Sequence, residues 1–107
     1  MYSFDSRIRY SEVDKDGRIT LNAILDYFQD ASFFHSEDFG VGLQFLNEQE
    51  MAWVLSYWQI EIKRYPFYGE HVKISTWPYD FKGFLGFRNF TMEDCGGEVL
   101  AFANSIW

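Results

Sequence analysis

The chain has 107 residues, a formal charge of −7 and one cysteine, and 21% of its residues are Phe, Trp or Tyr. That length fits a single domain able to bury roughly two thirds of its unfolded surface, and one cysteine excludes a disulfide framework or a Cys-based zinc cluster and fits a reducing, cytoplasmic setting. The acidic balance excludes a basic face for nucleic acid, no apolar run reaches the ~20 residues of a membrane span, and the N-terminal stretch MYSFDSRIRY is charged too early for a signal peptide.

Residues 2–13 alternate loosely and carry Tyr, Phe, Ile and Val, which predicts a first strand. Asp14-Lys15-Asp16-Gly17-Arg18 follows and is a turn by composition. The period then changes. Leu21, Ile24, Leu25, Phe28, Ala31 or Ser32, and His35 recur at helical spacing, with Asn22, Asp26, Gln29 and Asp30 opposite. A helix is expected over residues 20–39, with Thr20 as N-cap and Gly40 just past its end. Ala23 rules out a full capping box. Residues 43–47 add one short helical turn.

Everything after residue 51 reads as strand and turn. Residues 53–64 place Val54, Ser56, Trp58, Ile60 and Ile62 on one face and Gln59, Glu61 and Lys63 on the other. PFYGE, residues 66–70, makes a turn, and Val72, Ile74 and Thr76 alternate with polar residues in the next strand until Pro78 ends or bulges it. Lys82-Gly83 marks a turn, residues 84–93 a strand, Cys95-Gly96-Gly97 a tight hairpin and residues 98–107 a last strand, apolar to its end. The expected order is one strand, one long helix, then four strands in meander: an α+β domain. A curved antiparallel sheet of about five strands around one helix is the hotdog arrangement.

Several residues invite a chemical reading. The free N–H groups at the helix start, Leu21 and Asn22, could polarise a carbonyl and stabilise an oxyanion, although every helix has such an end. Asp14 is the carboxylate best placed to act as base or nucleophile, against an ordinary role in a solvated turn. His35 lies on the apolar stripe, where a histidine usually packs its ring and bonds a local carbonyl. His71 heads a strand on the polar side. Cys95 sits in an acidic turn, which disfavours the thiolate. Gly40-Val41-Gly42 lacks the context of a phosphate loop. The aromatics exceed what one helix face covers: Phe33 and Phe34 lie off the main stripe and need a lipid chain, a second domain, or both. Residues 1–50 carry net −6 and residues 51–107 net −1, so an acidic partner would have to dock on Lys63, Arg64, Lys73, Lys82 and Arg88, or on a second domain.

Three stretches carry a resemblance: RIRYSEVDKDGRITLNAILDYFQDAS, AWVLSYWQIEIKRYPFYGEHVKISTWPYDFKGFLGFRNFTMED and GEVLAFANSIW. Together they resemble the N-terminal hotdog of acyl-acyl carrier protein thioesterases, the fatty-acid-releasing enzymes of bacteria and plant plastids. The most specific parts are WVLS-x-x-x-I-x-I-x-R-Y-P-x-x-G-E and GEVLA-x-ANS-x-W. The resemblance implies a tandem of two hotdogs with catalysis in the second, through an Asp-x-Asn-x-His pattern that this sequence lacks; Arg18 stands where a histidine would be needed. It implies that this domain, residues 1–107, is the acyl-binding half, with its last strand incomplete and no cofactor or metal required. Leu25, Phe28, Ser32, Phe39, Trp53, Val54 and Trp58 are then the residues expected to hold the acyl chain. The implied partners are the acyl carrier protein thioester and a second hotdog or a homodimer partner. Two alternatives stay open: a stand-alone acyl-CoA thioesterase using Asp14, and a non-catalytic lipid-binding or assembly module. Dehydratases of the same fold need a histidine at a turn-to-helix junction, where neither His35 nor His71 lies.

Overall fold

The computed structural model describes residues 2–38, 57–82 and 85–106. In chain order they form β1 (Tyr2–Arg7), a 3-10 turn (Tyr10–Glu12), α1 (Leu21–Asp38), β2 (Tyr57–Ile62), β3 (His71–Lys82), β4 (Leu85–Glu93) and β5 (Val99–Ile106). The helix falls where its period and its cap predict. Thr20 Oγ1 accepts the N–H of Ala23 at 3.1 Å, and Thr20 O accepts that of Ile24 at 3.1 Å.

The five strands form one antiparallel sheet in the order β1-β3-β4-β5-β2. The α+β hotdog class is therefore as expected, but the four later strands are not a simple meander. Only β3, β4 and β5 are sequential neighbours; β2 lies at the far edge, paired to β5 with Ile60 opposite Ala103 and Ile62 opposite Ala101. The reason is local to residues 63–70. Lys63 N–H and Arg64 N–H both donate to Leu100 O, at 2.8 and 3.1 Å, and Ile19 N–H takes Pro66 O at 2.9 Å. The chain leaving β2 is thus carried across the end of the sheet before β3 begins, and β1 takes the place beside β3. The last strand is accordingly interior, hydrogen-bonded on both sides.

The first strand is shorter than its composition predicts. Its ladder with β3 ends at Arg7 opposite His71, and Glu12 then closes back on Arg9: Oε1 accepts the Arg9 N–H at 2.8 Å. Pro78 produces the bulge expected of it, between Pro78 and Asp80 in the β3–β4 ladder. The β4–β5 hairpin turns on Gly97 at φ +83°, where a residue without Cβ is favoured.

The core lies between α1 and the inner face of the sheet. Ile24, Phe28 and Ala31 of the helix meet Ile74, Phe90, Met92, Ala101 and Ala103 of the strands, all essentially inaccessible to solvent. Trp58, Ile60 and Ile62 flank this core from β2, the face predicted by their alternation. Burying a Phe or Ile side chain contributes about 1.5–3 kcal/mol, so this face dominates the stability of the domain.

A second adhesion holds the turn before α1 to the loop after β2. Gly17, at φ +80°, accepts the N–H of Tyr68 on its carbonyl oxygen at 2.8 Å, and a Cβ there would lie 2.6 Å from the Phe67 ring. Gly17→Ala is expected to lower the unfolding free energy by about 1–3 kcal/mol, most of it backbone strain because the exposed Phe67 ring is able to move aside; urea unfolding of the two proteins checks this. A pH dependence also follows. Burial acts to raise the Glu12 carboxyl, but hydrogen bonds from Tyr27 and Arg9 outweigh it and hold the group below its ordinary value of 4.5. A depressed carboxyl stabilises the fold above that value and loses its contribution as pH falls through the folded value. Glu12→Gln should cost about 1–3 kcal/mol near pH 7. The gap from wild type should shrink progressively below pH 4.5, measured by denaturant unfolding across pH.

Candidate functional site

The polar knot before the helix closes on itself. Asp14 Oδ1 accepts the N–H groups of Asp16 and Arg18 at 2.9 and 3.2 Å, while Asp14 N–H donates to Arg18 O at 2.8 Å. This is the side-chain turn that Asp favours. It delivers the chain to Ile19, fully buried, and to the cap at Thr20. With the Ala23 N–H taken by the cap, Leu21 and Asn22 keep backbone N–H groups that have no intrahelical acceptor.

A groove of about 620 Å³ opens at this end. Its wall includes Asp14, Arg18, Thr20, Leu21, Lys63 and Arg64. Three cations and the positive end of the helix dipole therefore face one carboxylate. The arrangement favours an anion, or a carbonyl oxygen gaining negative charge, at Leu21, whereas Asn22 lines a different groove beside Glu12 and Asp26. Arg64 is largely committed: it grips Glu70 with two hydrogen bonds, 2.9 Å to Oε1 and 2.5 Å to Oε2. That guanidinium, ahead of the opposing effect of burial, holds the Glu70 carboxyl below its ordinary range. Arg18 lies with its guanidinium 5.4 Å from the Phe67 ring centroid and donates to Tyr65 O at 3.1 Å.

Asp14, the expected base, is exposed and lines this groove, with Oδ1 spent on the turn and no hydrogen bond to Oδ2 among the described residues. A second acidic centre was not anticipated. On another side of the helix Tyr27 OH donates to Glu12 Oε1 at 2.6 Å and accepts from Ser6 Oγ at 3.2 Å, beside a groove of about 550 Å³ that Asp26 and Asp30 also line. Burial, reinforced by the Glu12 carboxylate, raises the Tyr27 phenol, and burial together with Asp26 raises the Asp30 carboxyl. Tyr27 falls beside the predicted apolar stripe. The only local signal for its partner was the Arg9–Glu12 spacing.

The residues expected to hold an acyl chain are partly brought together. Phe28 is fully buried, its ring stacked on Phe90 at 5.2 Å and tilted against Trp58 at 6.3 Å; Trp58 and Phe90 are 5.1 Å apart. Leu25 is half-buried and Ser32 buried on the same helix. Phe39, Trp53 and Val54 lie outside the described residues, as do Gly40-Val41-Gly42 and the helical turn expected at 43–47. Beyond Phe28 the interior turns polar. His35 is buried: Nδ1 accepts from Arg88 Nη1 at 2.9 Å, and its ring stacks on Tyr2. The acceptor role fixes Nδ1 as the unprotonated nitrogen, because a guanidinium only donates. Arg88 also donates to Thr76 Oγ1 at 3.2 Å, and burial pulls its guanidinium below the ordinary value. Arg88 is thus half-buried and engaged with His35 and Thr76. His71 and Cys95 are exposed; Cys95 Sγ lies 3.7 Å from the backbone oxygen of His71. Phe34, off the stripe, packs edge-on against Phe4 of β1 at 5.5 Å.

Comparison with known proteins fits this geometry. Residues 1–107 match the sequence model of the acyl-ACP thioesterase N-terminal domain. The chain is similar to acyl-[acyl-carrier-protein] hydrolase FATB3 of Cuphea viscosissima, a chloroplastic protein, with 30% identity over 112 residues covering 94% of this chain and 26% of that one. Among solved structures it is similar to an oleoyl thioesterase assigned in Lactobacillus plantarum, with TM-score 0.95 and 32% identity over 99% of this chain and 41% of that one. It is similar also to an acyl-ACP thioesterase from Bacteroides thetaiotaomicron, with TM-score 0.90 and 30% identity over 98% of this chain and 43% of that one. It therefore spans about a quarter of that curated relative and under half of those solved chains. With helix, sheet order and family match in agreement, the chain belongs to the acyl-ACP thioesterase family, matching its N-terminal hotdog domain.

Proposed function

We propose that this chain is the acyl-binding hotdog of a thioesterase that hydrolyses acyl-acyl carrier protein and releases free fatty acid in fatty acid biosynthesis. The observation that carries this reading is the groove at the start of α1. It offers the helix-start residue Leu21 and a cationic wall, but among the described residues the one carboxylate lining it, Asp14, is tied into its own turn. Such a site binds and polarises; a base from elsewhere completes the hydrolysis. In that reaction a water oxygen adds to the thioester carbonyl, the C–S bond breaks, and the pantetheine thiolate takes up a proton as the fatty acid leaves.

The acyl chain in this reading runs between α1 and the sheet, against Leu25, Phe28, Ser32 and Trp58, and on to Phe39, Trp53 and Val54. Each buried methylene contributes about 0.8 kcal/mol, which makes such a channel selective for length. The partner domain adds to the edge of β2, whose backbone pairs with β5 on one side only among the described residues. A second hotdog or a second copy of the chain would continue the sheet there. A cytoplasmic location, or its plastid counterpart in the plant relatives, goes with this reading; among the described residues no helix is long and apolar enough to cross a membrane.

A second reading draws on Asp14 Oδ2, which is without a hydrogen bond at the groove wall: a stand-alone thioesterase in which this carboxylate is the base. Asp14→Asn separates the two in the protein that contains this chain. Release of fatty acid from acyl-acyl carrier protein should keep its kcat within about threefold if Asp14 only shapes the turn, whereas loss of a general base lowers it by about 10²–10⁴. A loss of that size with the fold intact would install the second reading in place of the first.

A further inference from the structure

Six large apolar or aromatic side chains are exposed among the described residues, and five surround one end of the molecule. Leu21 and Tyr65 line the groove at the start of α1; Tyr10, Phe67 and Tyr68 line a second groove of about 650 Å³. Asp14 belongs to both walls, so the two grooves flank the 14–18 turn. Tyr10, the most exposed at 75%, meets Tyr68 edge to face at 6.1 Å, so these rings are held in place while remaining open to solvent.

The charge here runs against that of the chain. Lys15, Arg18, Lys63 and Arg64 line the two grooves against one lining carboxylate, Asp14, in a chain of formal charge −7. Arg64 is neutralised by Glu70, with Asp94 also 3.9 Å from it, and Asp16 adds one negative charge to the turn. Lys15, Arg18 and Lys63 are exposed and make no ion pair among the described residues. Two of these cations come from the acidic first half of the sequence. Three of its carboxylates, Glu12, Asp26 and Asp30, line a separate groove together with Arg9.

We propose that these two adjoining grooves are the docking surface for the acidic carrier protein that presents the acyl thioester, an inference that rests on the thioesterase reading above. Tyr, Phe and Arg are the side chains that interface centres favour, and lysines at a rim steer an acidic partner without fixing its affinity alone. A second copy of this chain fits the surface poorly, since face to face it would oppose two cationic rims. A flat anionic bilayer fits the surface poorly, because the aromatic side chains here line concave grooves.

The test uses the protein that contains this chain and a fluorescently labelled acidic acyl carrier protein bearing a non-hydrolysable acyl-pantetheine thioether. Lys15→Glu combined with Tyr68→Ala, both outside the groove at the start of α1, should weaken carrier binding about tenfold or more in anisotropy titrations. Raising the salt concentration should narrow the difference. Hydrolysis of the same acyl group on free pantetheine should be unchanged, which also reports an intact fold. Equal carrier binding by wild type and variant overturns the proposal. So does wild-type binding to phosphatidylglycerol vesicles, or self-association in sedimentation, that the variant loses while carrier binding stays. Carrier binding that responds to the variant, with no fatty acid released by wild type, would keep the docking surface and defeat the thioesterase reading.

Discussion

The burial of one helix face in one curved sheet is the constraint on which the rest of the molecule depends. Phe28, Phe90 and Trp58 form a mutually touching trio of rings, and Ile24 and Ala31 continue the contact one turn to either side of Phe28. Loss of a single such aromatic side chain costs about 3–5 kcal/mol, a large part of what a domain of this size has to spare. Because the helix is held along that face, its start has a fixed direction, and Leu21 and Asn22 present their N–H groups at one end of the core. The chemistry of the site is a consequence of packing several turns away.

The turn before the helix and the loop after β2 convert that direction into a functional surface. Their backbone bonds, Ile19 to Pro66 and Tyr68 to Gly17, bring residues from the first and second halves of the chain to one end. The acidic and basic side chains of the N-terminal half are thereby sorted. Arg18 and Lys15 join Lys63 around the start of α1, while Glu12 is drawn to Tyr27 on another side of the helix. A net charge alone would exclude an acidic partner; its distribution does not.

The helix was legible because its apolar residues recur at 3.6 with a threonine at the cap, and α1 begins within one residue of the predicted start. The alternation of Trp58, Ile60 and Ile62 likewise marks the inner face of β2. The neighbour of β2 was not legible. Its partner β5 begins nearly forty residues later, and local pattern carries no record of pairing across that distance. The 3-10 turn at Tyr10–Glu12 was hidden by a strand-like composition, and it forms because Glu12 returns to Arg9. In the candidate site, Asp14, Leu21 and Asn22 were read from their place before and at the helix start. Arg18 with Lys63, and His35 with Arg88, lie 45 and 53 residues apart, and they meet only through the tertiary fold. Long-range polar pairs of this kind leave no periodic trace.

The central claim is that an acyl chain lies between α1 and the sheet with its thioester at the start of that helix. A crystal structure of the protein containing this chain, bound to a non-hydrolysable acyl-pantetheine thioether, tests it directly. The account predicts the alkyl carbons against Leu25 and Trp58 and the carbonyl oxygen within hydrogen-bond distance of the Leu21 or Asn22 N–H. An alkyl chain seated elsewhere, with the core of Phe28, Phe90 and Trp58 closed against it, would contradict it.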